Sequence, residues 1–208
     1  MICKGRLVVL LLLLMLSPYL QAQRGWTREQ LSQAATCDSV PGLRDTERDA
    51  VRYINLCRLF PADFARIELG AYRMDPAYGI SVIKEFNRNK ISLINDLNLR
   101  KPCGALEFDE ELYKDAQCYS KEIANSYRKP HERKNCPANS YAECLTFGSF
   151  SGKEIAIQLL VDAGVRSLGH RKICLDPDYQ YIGVSTGKHY KYGSCAVLEF
   201  DYAYEGDE

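Results

Sequence analysis

The 208-residue chain has no surplus charge of either sign: 27 Lys and Arg stand against 27 Asp and Glu. That balance gives no sign of the basic surplus that nucleic acid or an anionic lipid surface favours. Histidine is scarce, with only His131, His170 and His189 in the whole chain, so imidazole chemistry has few sources. No two cysteines have the Cys-x-x-Cys spacing of zinc knuckles and redox sites. The zincin pattern fails: His131-Glu132 begins it, but Asn135 stands where the second histidine belongs. The stretch Gly148-Ser149-Phe150-Ser151-Gly152 has Phe150 at the centre of what would be a nucleophile elbow. Gly-rich phosphate loops, internal repeats and low-complexity tracts are missing.

What is present begins at the N-terminus. Lys4 and Arg6 precede an apolar run from Leu7 to Leu16, Ser17-Pro18 end it, and small Ala22 follows. This order reads as a cleaved export signal over residues 1–22, because the run is too short to span a bilayer comfortably. The expected product is secreted, periplasmic or otherwise extracellular, with no transmembrane anchor after cleavage. Losing Lys4 and Arg6 leaves 25 basic against 27 acidic residues. Nine cysteines less Cys3 leave eight: Cys37, Cys57, Cys103, Cys118, Cys136, Cys144, Cys174 and Cys195. An even number in an exported chain predicts up to four disulfides. Full pairing would leave no thiolate for a Cys–His nucleophile.

The rest of the chain divides into a leader, residues 23–46, tied down by Cys37, and one domain, residues 47–205, long enough for a core of its own. Thr46 is placed to cap a helix ending at Leu59, with Asn55 and Arg58 on a solvated face unless burial supplies partners. A short helix over 62–68, a loop from Met74 to Gly79 and a helical segment from Ile80 to Leu97 follow. Asp109 caps a helix to about Ser126, whose stripe is Leu112, Ala116, Tyr119 and Ile123. A polar loop, Arg128 to Ala138, carries His131 and Cys136. Tyr141 to Phe147 is β-compatible. Ser151-x-x-Glu154 is a capping box for a helix from Gly152 to Val161. Strands are predicted at Tyr181–Ser185 and Ser194–Tyr202, and the hairpin loop between them, Lys188 to Gly193, puts His189 at an exposed tip. Helices first, then short strands with a helix among them, predict an α+β fold packed as a sandwich.

Several stretches together resemble one family. They are Asn55-Leu56-Cys57-Arg58, Leu106-Glu107-Phe108-Asp109-Glu110-Glu111-Leu112 running into Ala116, and the lone His131. Ala142-Glu143-Cys144-Leu145, Ser167-Leu168-Gly169-His170-Arg171 through Leu175-x-Pro177 to Ile182-Gly183-Val184, and the closing Glu199-Phe200-Asp201-Tyr202 complete the set. In order and spacing they are similar to the CAP superfamily of cysteine-rich secretory, antigen-five and pathogenesis-related-one proteins, and most to its bacterial SCP-like extracellular branch. The resemblance implies an α-β-α sandwich with a central, mainly antiparallel sheet, stapled by disulfides. It also implies a cleft lined by two histidines and two acids. His131 and His170 match the histidines, and Glu143 matches the first acid. Asp162 is the candidate for the second acid, at the spacing from Leu159 where the family has Trp-x-x-Glu. Asp replaces Glu there, and Cys144 replaces the usual Asn. Glu154 is a rival that its capping-box role explains more simply.

Imidazole and carboxylate both suit Zn²⁺ or another divalent cation. The function expected is therefore a secreted CAP-type binding or interaction domain whose His/acid cleft can hold such an ion. Its partner would be a protein, glycan or lipid outside the cytoplasm, not nucleic acid. One alternative is an extracellular metal- or acid/base-assisted hydrolase of peptides or esters, with Glu143 as general base. The other is a structural envelope protein or lipid carrier. Members of the superfamily share no single enzyme activity, so fold alone selects none of these.

Overall fold

The computed structural model describes residues 25–125 and 131–203. The segment 1–22 read as an export signal and Ser126, the expected end of one helix, lie outside them. Helix α1, Arg28–Ala34, starts at a Thr27/Gln30 capping box. Helix α2, Asp45–Leu59, follows, then α3, Pro61–Phe64, which runs on as a π-turn over Ala65–Leu69, and α4, Ile80–Leu99. Strand β1 is Glu107–Phe108, α5 is Glu110–Ile123, β2 is Ala142–Phe147 and α6 is Gly152–Val161. Helix α7, Gly169–Cys174, precedes the hairpin of β3, Tyr179–His189, and β4, Gly193–Tyr202.

The strands form one sheet in the order β1-β3-β4-β2. Only β1 and β3 pair in parallel; β3–β4 and β4–β2 are antiparallel. Helix α5 covers one face. There Gly183 is required, because a Cβ on it would lie 2.1 Å from the Leu112 carbonyl carbon. Ala116, Tyr119 and Ile123 of α5 close on Leu145, Cys195 and Val197 of that face. The opposite face carries Cys144, Ile182, Val184, Leu198 and Phe200, buried with α2, α4 and α6 in the larger core. Helices α2 and α6 meet at Gly152, where a Cβ would stand 2.4 Å from the Ala50 backbone nitrogen. The result is the expected α+β sandwich, with a mainly antiparallel sheet between helical layers.

Local signals explain most of the elements. Asp109 Oδ1 accepts from the Leu112 N–H at 2.8 Å to start α5. Ser151 and Glu154 form the predicted box at α6. Helix α2 differs: Arg44, not Thr46, is its N-cap, and Glu47 completes the box from inside the core. The β3–β4 hairpin is longer than its sequence suggests, and this moves His189. It pairs with Gly193 at the end of the ladder and is buried. Its Nδ1 accepts from the N–H groups of Lys191 and Tyr192, while Phe147 and Tyr192 pack on the ring.

Asn55 and Arg58 are not on a solvated face. Asn55 exchanges hydrogen bonds with the Leu106 backbone, accepting from its N–H at 2.8 Å and donating to its carbonyl at 3.1 Å. Arg58 donates to the carbonyls of Gly104, Cys174, Asp176 and Tyr179. The leader packs Ala34, Cys37 and Leu43 into the larger core. Among the described residues one disulfide is formed, Cys118–Cys136. The thiols of Cys37, Cys57, Cys103, Cys144, Cys174 and Cys195 are free. Cys37 therefore holds the leader by burial in the larger core and not by a disulfide.

Candidate functional site

Strand β2 is an edge of the sheet, and the site is built around it. The loop after α5 approaches from one side and brings His131. Helix α7 approaches from the other and brings His170. The ring centroids stand 6.5 Å apart, with the planes inclined at 30°.

The His131 side is pinned from three directions. The disulfide joins Cys136 of the loop to Cys118 in α5. The Glu122 carboxylate accepts from the backbone N–H groups of Lys134, Asn135 and Cys136 at 2.5, 2.9 and 3.2 Å. The guanidinium of Arg133 lies 4.3 Å over the Tyr119 ring and bridges Glu143 of β2 to Glu199 of β4. His131 itself has a left-handed backbone, φ 72°. It is half exposed, with Nδ1 2.6 Å from Glu143 Oε1.

The His170 side depends on Asp162. This residue closes α6 in the left-handed region, φ 54°, a conformation Asp adopts more readily than most side chains. Its buried carboxylate accepts from His170 Nδ1 at 2.8 Å and from the His170 N–H at 2.9 Å. Arg171 then anchors α7 by donating to the carbonyls of Leu160, Val161 and Asn89.

Electrostatics separate the partly buried Glu143 from the fully buried Glu199. Burial works to raise the pKa of Glu143, but the His131 hydrogen bond and the Arg133 charge outweigh it and hold the group below the ordinary carboxylate range. Burial pushes Glu199 up to about 7; the Glu143 charge adds to this, while the Ser140 hydroxyl and Arg133 work against it. Burial opposes the Arg133 charge, yet the two carboxylates raise its pKa above the ordinary value.

An ionised carboxylate only accepts, so each Nδ1 bonded to one carries its proton, and the lone pair of the neutral ring is on Nε2. His131, Glu143 and His170 line a hollow of about 600 Å³ with Leu145, Phe147 and Ile173. An adjoining cavity of about 330 Å³ shares His170, Leu145 and Phe147 and is walled by Met74, Tyr78, Val82 and Phe86. The structure thus brings all four sequence candidates to one place as two His–carboxylate pairs. Among the described residues, no group of three or more His, Cys, Asp or Glu side chains is gathered to hold an ion. Glu154 accepts from the Phe150 and Ser151 N–H groups and belongs to the helix cap, away from the cleft.

Arg133 and Ser140 carry no sequence signal for the site, and Glu199 stands in the closing family motif without a site role attached to it. One signal was available for Glu199: it follows Cys195 and Val197 at inward positions of a strand, where a carboxylate needs a partner.

The sequence model of the cysteine-rich secretory protein family, CAP, matches residues 91–200, more than half of the chain. The chain belongs to the CAP family. Its matched segment runs from within α4 to β4 and contains both histidines and both acids of the cleft. Among curated proteins none matches this CAP chain. A solved structure to which it is similar is that of an outer surface protein from Borrelia burgdorferi, at 16% identity and a TM-score of 0.32, over 64% of this chain and 98% of that one.

Proposed function

We propose that this CAP domain is an exported interaction module whose cleft holds a divalent cation, Zn²⁺ first among them, through Nε2 of His131 and His170. The observation that supports this is the matched pair of carboxylate–imidazole contacts, Glu143 to His131 and Asp162 to His170. Fixing one ring nitrogen with a carboxylate orients the ring and raises the basicity of the other nitrogen, as behind many metal-bound histidines. Glu143 and Asp162 then stand behind the ligands and are not ligands themselves. Two imidazoles leave coordination positions for water or for an oxygen group of a partner. The rings are slightly farther apart than two imidazoles on one tetrahedral ion. Binding therefore draws in His131, the more exposed ring on the outer loop. Export rests on the N-terminal signal. Among the described residues no helix is long and apolar enough to cross a membrane.

Zinc titrated by calorimetry into protein without a His tag tests this reading. Wild type is expected to give a saturable one-site isotherm that His131→Ala and His170→Ala each abolish. Glu143→Gln is expected to weaken binding by about 10–100-fold. Indistinguishable isotherms for the wild type and the histidine variants, or no heat in any, would remove the cation from the proposal.

Binding is favoured over hydrolysis because both Glu143 oxygens are engaged, one by His131 and one by Arg133, which leaves no free general base at that position. The adjoining cavity walled by Met74, Tyr78, Val82 and Phe86 favours a second reading, carriage of an apolar ligand beside the ion. Organic extraction of purified protein followed by mass spectrometry tests it: an empty extract counts against carriage.

A further inference from the structure

Strand β2 and helix α7 meet through a pair of buried thiols. The Cys144 side chain points into the larger core, opposite in direction to its neighbour Glu143. Its Sγ lies 4.0 Å from the His170 carbonyl oxygen. Cys174 is four residues beyond His170 on the same short helix and so on the same face of it. Cys144 and Cys174 are both fully buried in the larger core, so their thiols are packed on the same side of the sheet. A second pair is arranged beside them. Cys57, also fully buried, precedes Arg58, whose carbonyl accepts from the Cys103 N–H at 3.0 Å. Arg58 Nη1 donates to the Cys174 carbonyl at 3.0 Å, which links the two pairs.

We propose that Cys144 and Cys174 are a disulfide-forming pair that staples β2 to α7, leaving Cys57 to Cys103. The bond joins the strand that carries Glu143 to the helix that carries His170. It does not rest on the cation reading. With a small-molecule disulfide such as oxidised glutathione as oxidant, the thiolate of one cysteine attacks a glutathione sulfur and releases one glutathione thiol. The second cysteine sulfur then attacks the protein sulfur of the mixed disulfide and releases the other. Two cysteine sulfurs lose one electron each, the oxidised glutathione gains both, and the two thiol protons end on the two glutathione molecules. Burial makes these thiols inert once the protein has folded, so the bond forms while β2 and α7 are still docking.

Reduced, unfolded protein is refolded in a mixture of reduced and oxidised glutathione, blocked with N-ethylmaleimide and mapped as peptides without reduction. The expected map shows the Cys118–Cys136 link and a Cys144–Cys174 link, and Cys57→Ser keeps both. Cys144→Ser is expected to leave Cys174 blocked by maleimide while Cys118–Cys136 still forms. The proposal is overturned if wild type forms Cys118–Cys136 but has both Cys144 and Cys174 blocked. It is equally overturned if Cys174 is joined to Cys57.

Discussion

Glu143 and Glu199 face each other across the β2–β4 ladder and share one guanidinium, that of Arg133. Directly opposed like charges destabilise a sheet. Here Glu199 is fully buried and Glu143 is only slightly exposed at the cleft, beneath the loop that carries His131. One cation between two carboxylates leaves a net negative charge when both are ionised. The structure answers this by holding a proton on Glu199 up to about pH 7.

That proton makes stability depend on pH in a definite direction. Glu199 has a folded pKa of about 7 against an ordinary value of 4.5, so between those values the folded state binds more protons than the unfolded chain. Stability therefore falls as pH rises from about 4.5 through 7 and levels off above that. Glu143, with its pKa lowered, acts the other way, and its contribution is lost only as pH falls below its ordinary range. Thermal midpoints measured from pH 4.5 to 8 should decline in wild type and stay nearly flat in Glu199→Gln, which keeps an acceptor for Ser140. Equal slopes in the two proteins would contradict this.

Arg133→Ala removes the shared partner and leaves two buried carboxylates. Breaking a buried ion pair from one side costs about 3–5 kcal/mol, and the cost should shrink at pH 5, where Glu199 takes up its proton. Urea unfolding at pH 5 and pH 8 measures both. A loss under about 1 kcal/mol at pH 8 would place Arg133 among surface ion pairs.

Gly183→Ala tests the contact between α5 and the sheet. The added Cβ would meet the backbone of Leu112 and Tyr113 at 2.1 and 2.2 Å, and a helix backbone cannot rotate aside as a side chain can. A penalty at the top of the usual overpacking range of about 1–3 kcal/mol is expected. Gly164→Ala supplies the comparison, since nothing lies within 4 Å of a Cβ there and the strain comes from its φ of +88° alone.

How far the sequence was legible depended on the reach of each interaction. Ser151 with Glu154, and Asp109 with Leu112, are bonded within three residues, so α6 and α5 could be read locally. The α5 stripe of Leu112, Ala116, Tyr119 and Ile123 is buried as its period implies. His131, Glu143 and His170 were found by the order of family motifs, since nothing local to any of them specifies the cleft. Arg58 was illegible because its acceptors are carbonyls 46 to 121 positions away, and helical periodicity carries no information about those. His189 was misplaced because the hairpin continues pairing past the point where β-favouring residues give out.

Asp162 also serves the helix that follows it. Helix α7 is preceded by Leu168, an N-cap with no capping side chain, and the Asp162 carboxylate accepts from the His170 and Arg171 N–H groups in its first turn. One aspartate thus terminates α6, opens α7 and fixes the tautomer of His170. A substitution chosen to retune the imidazole would also unseat the helix that presents it, so the chemistry at this corner is not separable from its architecture.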